Sequence, residues 1–163
     1  MNIPLDWQSR QRQDIPPYFW PEYQGPLRLP PLPSLEEIAA TRDRIPSARW
    51  RLVFGLLATY GIRPGEVTAL RFPRNGSDCP LVRGKDGDRQ VEPAPREWVA
   101  AWELQDLAIL PRFTNLRGST VAGVVAAKFL REYSLPFELR CLRLAYYQRI
   151  LGAGARNRSE QAS

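Results

Sequence analysis

Proline crowds the beginning of this chain. The stretch IPPYFWPEYQGPLRLPPLP carries a proline every few residues, and each one fixes φ and removes a backbone donor. Neither a helix nor an interior strand tolerates that density. Residues 1–33 are therefore expected as an extended arm, partly polyproline II, pinned by Trp7, Phe19 and Trp20. The same composition also suits a ligand for an aromatic-grooved partner domain. Cooperative structure has to come from residue 34 onward.

From there the punctuation is helical. Ser34 and Glu37 form a capping box ahead of Leu35, Ile38 and Ala39, so a helix is expected to about Arg44. A second begins near Pro46 and Ser47. Its Trp50, Val53, Phe54 and Leu57 follow the three-four spacing of a buried face, and Gly61 stops it. Pro64 suits the first turn of a short third helix carrying Val67 and Leu70. Residues 74–78, RNGSD, read as a loop. The segment PLVRGKDGDRQVEPAP then reads as a β-hairpin, with Leu81 and Val82 on one arm, Gln90 and Val91 on the other, and Asp86-Gly87 as the turn. Helical patterns follow over Glu97–Leu107, Ser119–Tyr133 with Ser119 as N-cap, and Pro136–Leu151. The end of the chain, residues 155–163, is expected to fray. The expected class is α+β, mainly α-helical, with one hairpin.

Composition narrows the chemistry. The 163 residues, 44% apolar and 25% charged, fit one domain of ordinary size. Histidine is absent, which excludes Ser-His-Asp and Cys-His nucleophilic centres and His-ligated zinc. Cys79 and Cys141 stand alone, so neither a disulfide framework nor a paired-cysteine metal site is expected. The DGD of Asp86 and Asp88, even with Asp78, is turn chemistry rather than a metal site. No metal or other cofactor is expected. Free thiols, no signal-peptide pattern and no long apolar run point to a cytoplasmic chain without a membrane partner. The net charge of +6 favours an anionic partner, with nucleic acid the leading class.

Basic residues stand where structure can focus them. Arg63 follows the Gly61 stop, Lys85 sits beside the hairpin turn, and Arg140 and Arg143 share a face of the last helix. Guanidinium forks suit the nonbridging oxygens of a phosphate and an ammonium suits a bridging oxygen. Each also has a plainer use. Arg63 suits helix-end carbonyls or a pair with Glu66, Lys85 suits a solvated turn, and Arg140 with Arg143 suits a solvated basic face.

LLATYGIRPGEVTALRF (Leu56 to Phe72) resembles the first arginine box of the tyrosine recombinases, the phage-integrase catalytic domain. In that resemblance Arg63 matches the catalytic arginine and Glu66 a nearby structural acid. The hairpin VRGKDGDRQVEPAP is similar to the family's hairpin, and Lys85 matches its general-acid lysine. LRLAYYQRILGAG (Leu142 to Gly154) is similar to the second arginine box, with Arg143 at the arginine, Tyr146 at the aromatic position and Gly154 at the closing glycine. The resemblance implies a catalytic-like helical domain over 34–154, arginines that hold a pentacoordinate phosphate, and a lysine that protonates the leaving 5′ oxygen.

Departures accompany it. Arg140 and Leu144 stand where the family places histidines, and neither the later His or Trp box nor a nucleophilic tyrosine follows before Ser163. Tyr146 and Tyr147 lie too near Arg143 for that role and are expected as core and groove aromatics. The resemblance therefore implies a truncated, degenerate domain that binds double-stranded DNA through Arg63, Lys85, Arg140 and Arg143 without cleaving it. The other readings are a non-enzymatic interaction module that uses the proline-rich arm, and a fragment served by another chain's tyrosine. A second copy of the chain or a full-length recombinase is the further partner expected.

Overall fold

The computed structural model describes residues 31–84, 87–114 and 116–161, with 155–161 described by their helical backbone. The arm expected over 1–33 lies, except for 31–33, outside the described residues, and so does Lys85. No helix among the described residues is long and apolar enough to cross a membrane.

The chain is α+β: the described residues form helices with one small antiparallel sheet. Helix α1 (Leu35–Asp43) starts at the expected box, where the Ser34 hydroxyl accepts from the Glu37 N–H at 3.1 Å and Glu37 accepts from the Ser34 N–H at 2.7 Å. Helix α2 (Ala48–Tyr60) is capped by Ser47 and ends at Gly61 in the left-handed region, φ +59°. The sequence gives α2 one apolar stripe, but every residue from Leu52 to Tyr60 is buried. The reason is that neighbours surround it: α1, the 3₁₀ turn Pro64–Ala69, and helices α3 (Glu97–Ala101) and α5 (Leu139–Gln161) all pack on it. A helix wrapped in this way is the core's axis.

Pro64–Ala69 forms the expected short helix as a 3₁₀ turn. Leu70–Arg71 leaves it as strand β1, where the apolar pattern predicts that Leu70 belongs to the short helix. It pairs with β2 (Leu81–Gly84), which pairs with β3 (Gly87–Gln90). Gly84 pairs with Gly87, so Gly87 belongs to the strand and not to an Asp86-Gly87 turn.

Three helix boundaries also move. The expected Glu97–Leu107 helix ends after Ala101 in a Schellman motif. The Leu104 N–H donates to the Val99 carbonyl at 3.0 Å and the Glu103 N–H to the Ala100 carbonyl at 3.2 Å, with Glu103 at φ 51°. Glu103 holds the left-handed position usually given to glycine, and the turn carries Leu104 to complete burial. Helix α4 (Val121–Ala127) is capped by Thr120 rather than Ser119 and continues as a π-helical turn over Lys128–Glu132. Helix α5 begins at Leu139, after Pro136, and runs past Leu151 to Gln161, so residues 155–161 are helical rather than frayed. Ala155, Arg156 and Arg158 are good helix formers, which offsets Gly152 and Gly154.

Aromatic stacking fastens the helices together. Trp98 and Trp102 stack with centroids 4.1 Å apart, Arg42 lies 4.8 Å from the Trp102 ring and Arg149 lies 5.8 Å from Trp98. The four groups form a cation–ring–ring–cation column that joins α1, α3 and α5.

Candidate phosphate-binding cleft

Gly61 sets the geometry of the cleft. Its left-handed turn lets the chain leave α2 and drop directly onto the Tyr146 ring, where a Cβ on Gly61 would stand 2.2 Å from Tyr146 Cδ1. Tyr146 is itself fixed by a 2.8 Å hydrogen bond from its hydroxyl to the Glu92 carbonyl. Arg63 therefore emerges against α5, the helix that carries Arg143.

Arg149 holds α5 in that position. Its guanidinium donates to the Ala58 carbonyl at 2.7 Å and to the Ala94 carbonyl at 2.8 and 3.1 Å. It satisfies the open end of α2 and ties the segment after the hairpin to the same helix. Burial pushes its pKa down, yet it stays bound to carbonyls as a cation. Nothing in the local sequence pattern marks this residue.

Arg63, Arg140 and Arg143 line one cleft of about 490 Å³, floored by Leu57, Ile62 and Leu142. Three of the four basic residues expected at a shared site thus converge, and the fourth, Lys85, lies outside the described residues. Arg63 is exposed, and no carboxylate among the described residues pairs with its guanidinium. Arg140 is engaged with Glu138 at 2.5 Å, both side chains about two-thirds exposed. Arg143 is half-buried. Its Nη2 donates to the Tyr147 hydroxyl at 3.0 Å, while Nη1 is shielded from solvent and has no hydrogen-bond partner among the described residues. An orphaned donor on a guanidinium is costly, and an oxyanion supplies what it lacks.

Glu66 organises the rim. Its carboxylate accepts the Arg63 N–H at 2.8 Å and both Arg89 terminal nitrogens at 2.9 and 2.8 Å. This bidentate pair clamps the hairpin to the Arg63 turn. Glu66 was expected as a structural acid, and it is half-buried with its side chain 14% exposed. Arg89, which reads in sequence as an ordinary strand residue, is the clamp's other half. Burial alone would raise the Glu66 pKa. The hydrogen bonds from Arg89 and from the Arg63 N–H, with the charges of Arg89 and Arg143, outweigh it and hold the carboxyl below its usual value.

A depressed carboxyl pKa gives stability that is complete above the unfolded value, about 4.3, and is lost as pH falls through the lower folded value. Urea melts of the wild type and Glu66→Gln should therefore differ most at neutral pH and converge below about pH 4. A gap independent of pH would mean that the Glu66 charge contributes nothing.

The tyrosines divide as their burial dictates. Tyr146 is a core residue, 6% exposed, and its pKa is pushed up to about 12, first by burial and then by Tyr147 and Glu92. Its hydroxyl is committed to a carbonyl and makes a poor nucleophile. Tyr147 is exposed, and its ring lies 5.3 Å from the Arg143 guanidinium. Because its oxygen accepts from Arg143, its own hydrogen is left to donate to another acceptor.

Lys128, the apparent surface cation of α4's continuation, is engaged. It pairs with Glu132 at 2.6 Å and lies 5.5 and 5.6 Å from the Trp50 and Tyr133 rings. Its removal is therefore no neutral change. Exposed Arg112, outside the cleft lining, is the appropriate surface-charge control. Among the described residues no cluster of acidic and cysteine side chains could hold a metal ion.

No protein-family model, curated protein or solved structure matches this chain.

Proposed function

We propose that the arginine-lined cleft binds a backbone phosphate of double-stranded DNA, in a domain similar to the tyrosine recombinases that does not cleave the strand. The observation that carries this reading is Arg143: a guanidinium with an unpartnered Nη1, in a cleft shared with Arg63 and Arg140. Guanidinium forks on two elements can grip different nonbridging oxygens of one phosphate. Tyr147, bonded to Arg143, adds a hydroxyl donor beside that guanidinium. The net charge of +6 supports steering toward a polyanion.

The same residues support binding over cleavage. Phosphodiester transfer needs a nucleophile aligned with the phosphate and a proton donor for the leaving oxygen. Tyr146 is buried and bonded away from the cleft, the Tyr147 oxygen is occupied by Arg143, and the chain has no histidine.

A nicked duplex tests both halves. The full chain should retard it on a native gel at low salt and leave no adduct on a denaturing gel. Absence of retardation would overturn the binding reading. A denaturant-stable adduct on Tyr147 would overturn the loss of cleavage.

A further inference from the structure

The cleft does not end at its arginines. Ala126, Leu139 and Arg140 line it and also line a second cavity of about 450 Å³. The remaining wall of that cavity is apolar, built from Phe129, Leu130, Leu135 and Phe137, with Glu138 at the rim. Phe129 is fully buried at its base, whereas Leu130 is 76% exposed. The π-helical turn Lys128–Glu132 carries both residues, and such turns frequently occur at functional sites.

We infer that the two cavities form a single site for one nucleotide of a DNA strand, with its phosphate on Arg63 and Arg143 and its unstacked base in the apolar cavity. This rests on the phosphate reading above. The two halves adjoin across that shared wall, one cationic and one apolar, with the half-buried Phe137 in the apolar lining. That pairing of chemistries matches a nucleotide, whose anionic group and planar ring are joined through a sugar. Inorganic phosphate would leave the apolar half empty. Glu138 does not repel the ligand strongly, because Arg140 neutralises it.

A base inside an intact duplex is stacked and paired, so reaching the cavity costs its unstacking. A base in a gap has little to lose, and it gains contact with the apolar wall. The site therefore prefers strands with unpaired nucleotides to fully paired duplex.

The test compares two labelled duplexes of equal length, one fully paired and one with a short central gap, titrated with the full chain. The gapped duplex should bind about tenfold more tightly, in line with the contribution of one base stacked or packed on a protein surface. Phe137→Ala and Leu130→Ser should each bring the affinity ratio toward one. Leu130 is exposed enough that its change spares the fold if Phe137→Ala does not. Arg143→Ala should weaken both duplexes. Equal wild-type affinity for the two duplexes overturns this inference and leaves the phosphate reading standing. If, in addition, Leu130→Ser abolishes self-association, the apolar cavity belongs to a second copy of the chain. Failure to bind either duplex removes the phosphate reading and this one with it.

Discussion

Arg143→Ala is expected to weaken duplex DNA binding by about 10- to 100-fold at moderate salt, the equivalent of about 1.5–3 kcal/mol for hydrogen bonds to a charged group. Arg143 is the cleft residue with most to lose. It is half-buried, its Nη1 lacks a partner among the described residues, and its Nη2 is aligned by Tyr147. The log–log salt slope should become shallower by about 0.9, the signature of one phosphate contact removed. Arg63→Ala should change the slope equally with a smaller loss of affinity, because Arg63 is more exposed and less ordered by neighbours. Arg112→Ala should change both little. Anisotropy titrations at three salt concentrations separate these results, and equal small losses from all three variants would mean diffuse basic attraction.

Gly61→Ala is expected to have the largest effect on stability, about 2–4 kcal/mol. Two costs combine. A side chain at φ +59° costs about 1 kcal/mol in backbone conformation, and the new Cβ would stand 2.2 and 2.5 Å from Tyr146 Cδ1 and Cγ. Tyr146 has no room to yield, being buried and bonded through its hydroxyl to Glu92. Gly76→Ala isolates the first cost, since Gly76 also has positive φ, +81°, with nothing within 4 Å of a Cβ. Urea denaturation should show Gly76→Ala losing about 1 kcal/mol and Gly61→Ala several times more. Similar losses for the two would contradict the packing of Tyr146 on the Gly61 turn. Because a domain's total stability is only about 5–15 kcal/mol, Gly61→Ala should also weaken DNA binding, since the same turn carries Arg63.

What could be read in advance follows the range of each interaction. Ser34, Ser47 and Gly61 mark helix ends through bonds to residues three or four positions away, so their meaning sits in the local sequence. The junction after Gly61 and the face shared by Arg140 and Arg143 were visible for the same reason, and they line one cleft. The Glu66–Arg89 clamp joins residues 23 apart, and Arg149 reaches Ala58 across 91. No periodicity encodes such pairs. Strand β1 has two residues and exists because β2 pairs with it. Glu103 conceals a helix end because it occupies a position where sequence rules look for glycine.

The central claim is that Arg63 and Arg143 meet the same phosphate. Arginine side-chain ¹⁵N–¹H NMR of the full chain, titrated with a short duplex, tests it at the atoms concerned. The account predicts that the Nε–H signals of Arg63 and Arg143 shift together along one binding curve, while that of Arg112 stays in place. Arg143→Ala should then weaken the curve followed by Arg63. Shifts spread evenly over the exposed arginines, with Arg143 unmoved, would contradict the cleft as the site of DNA contact.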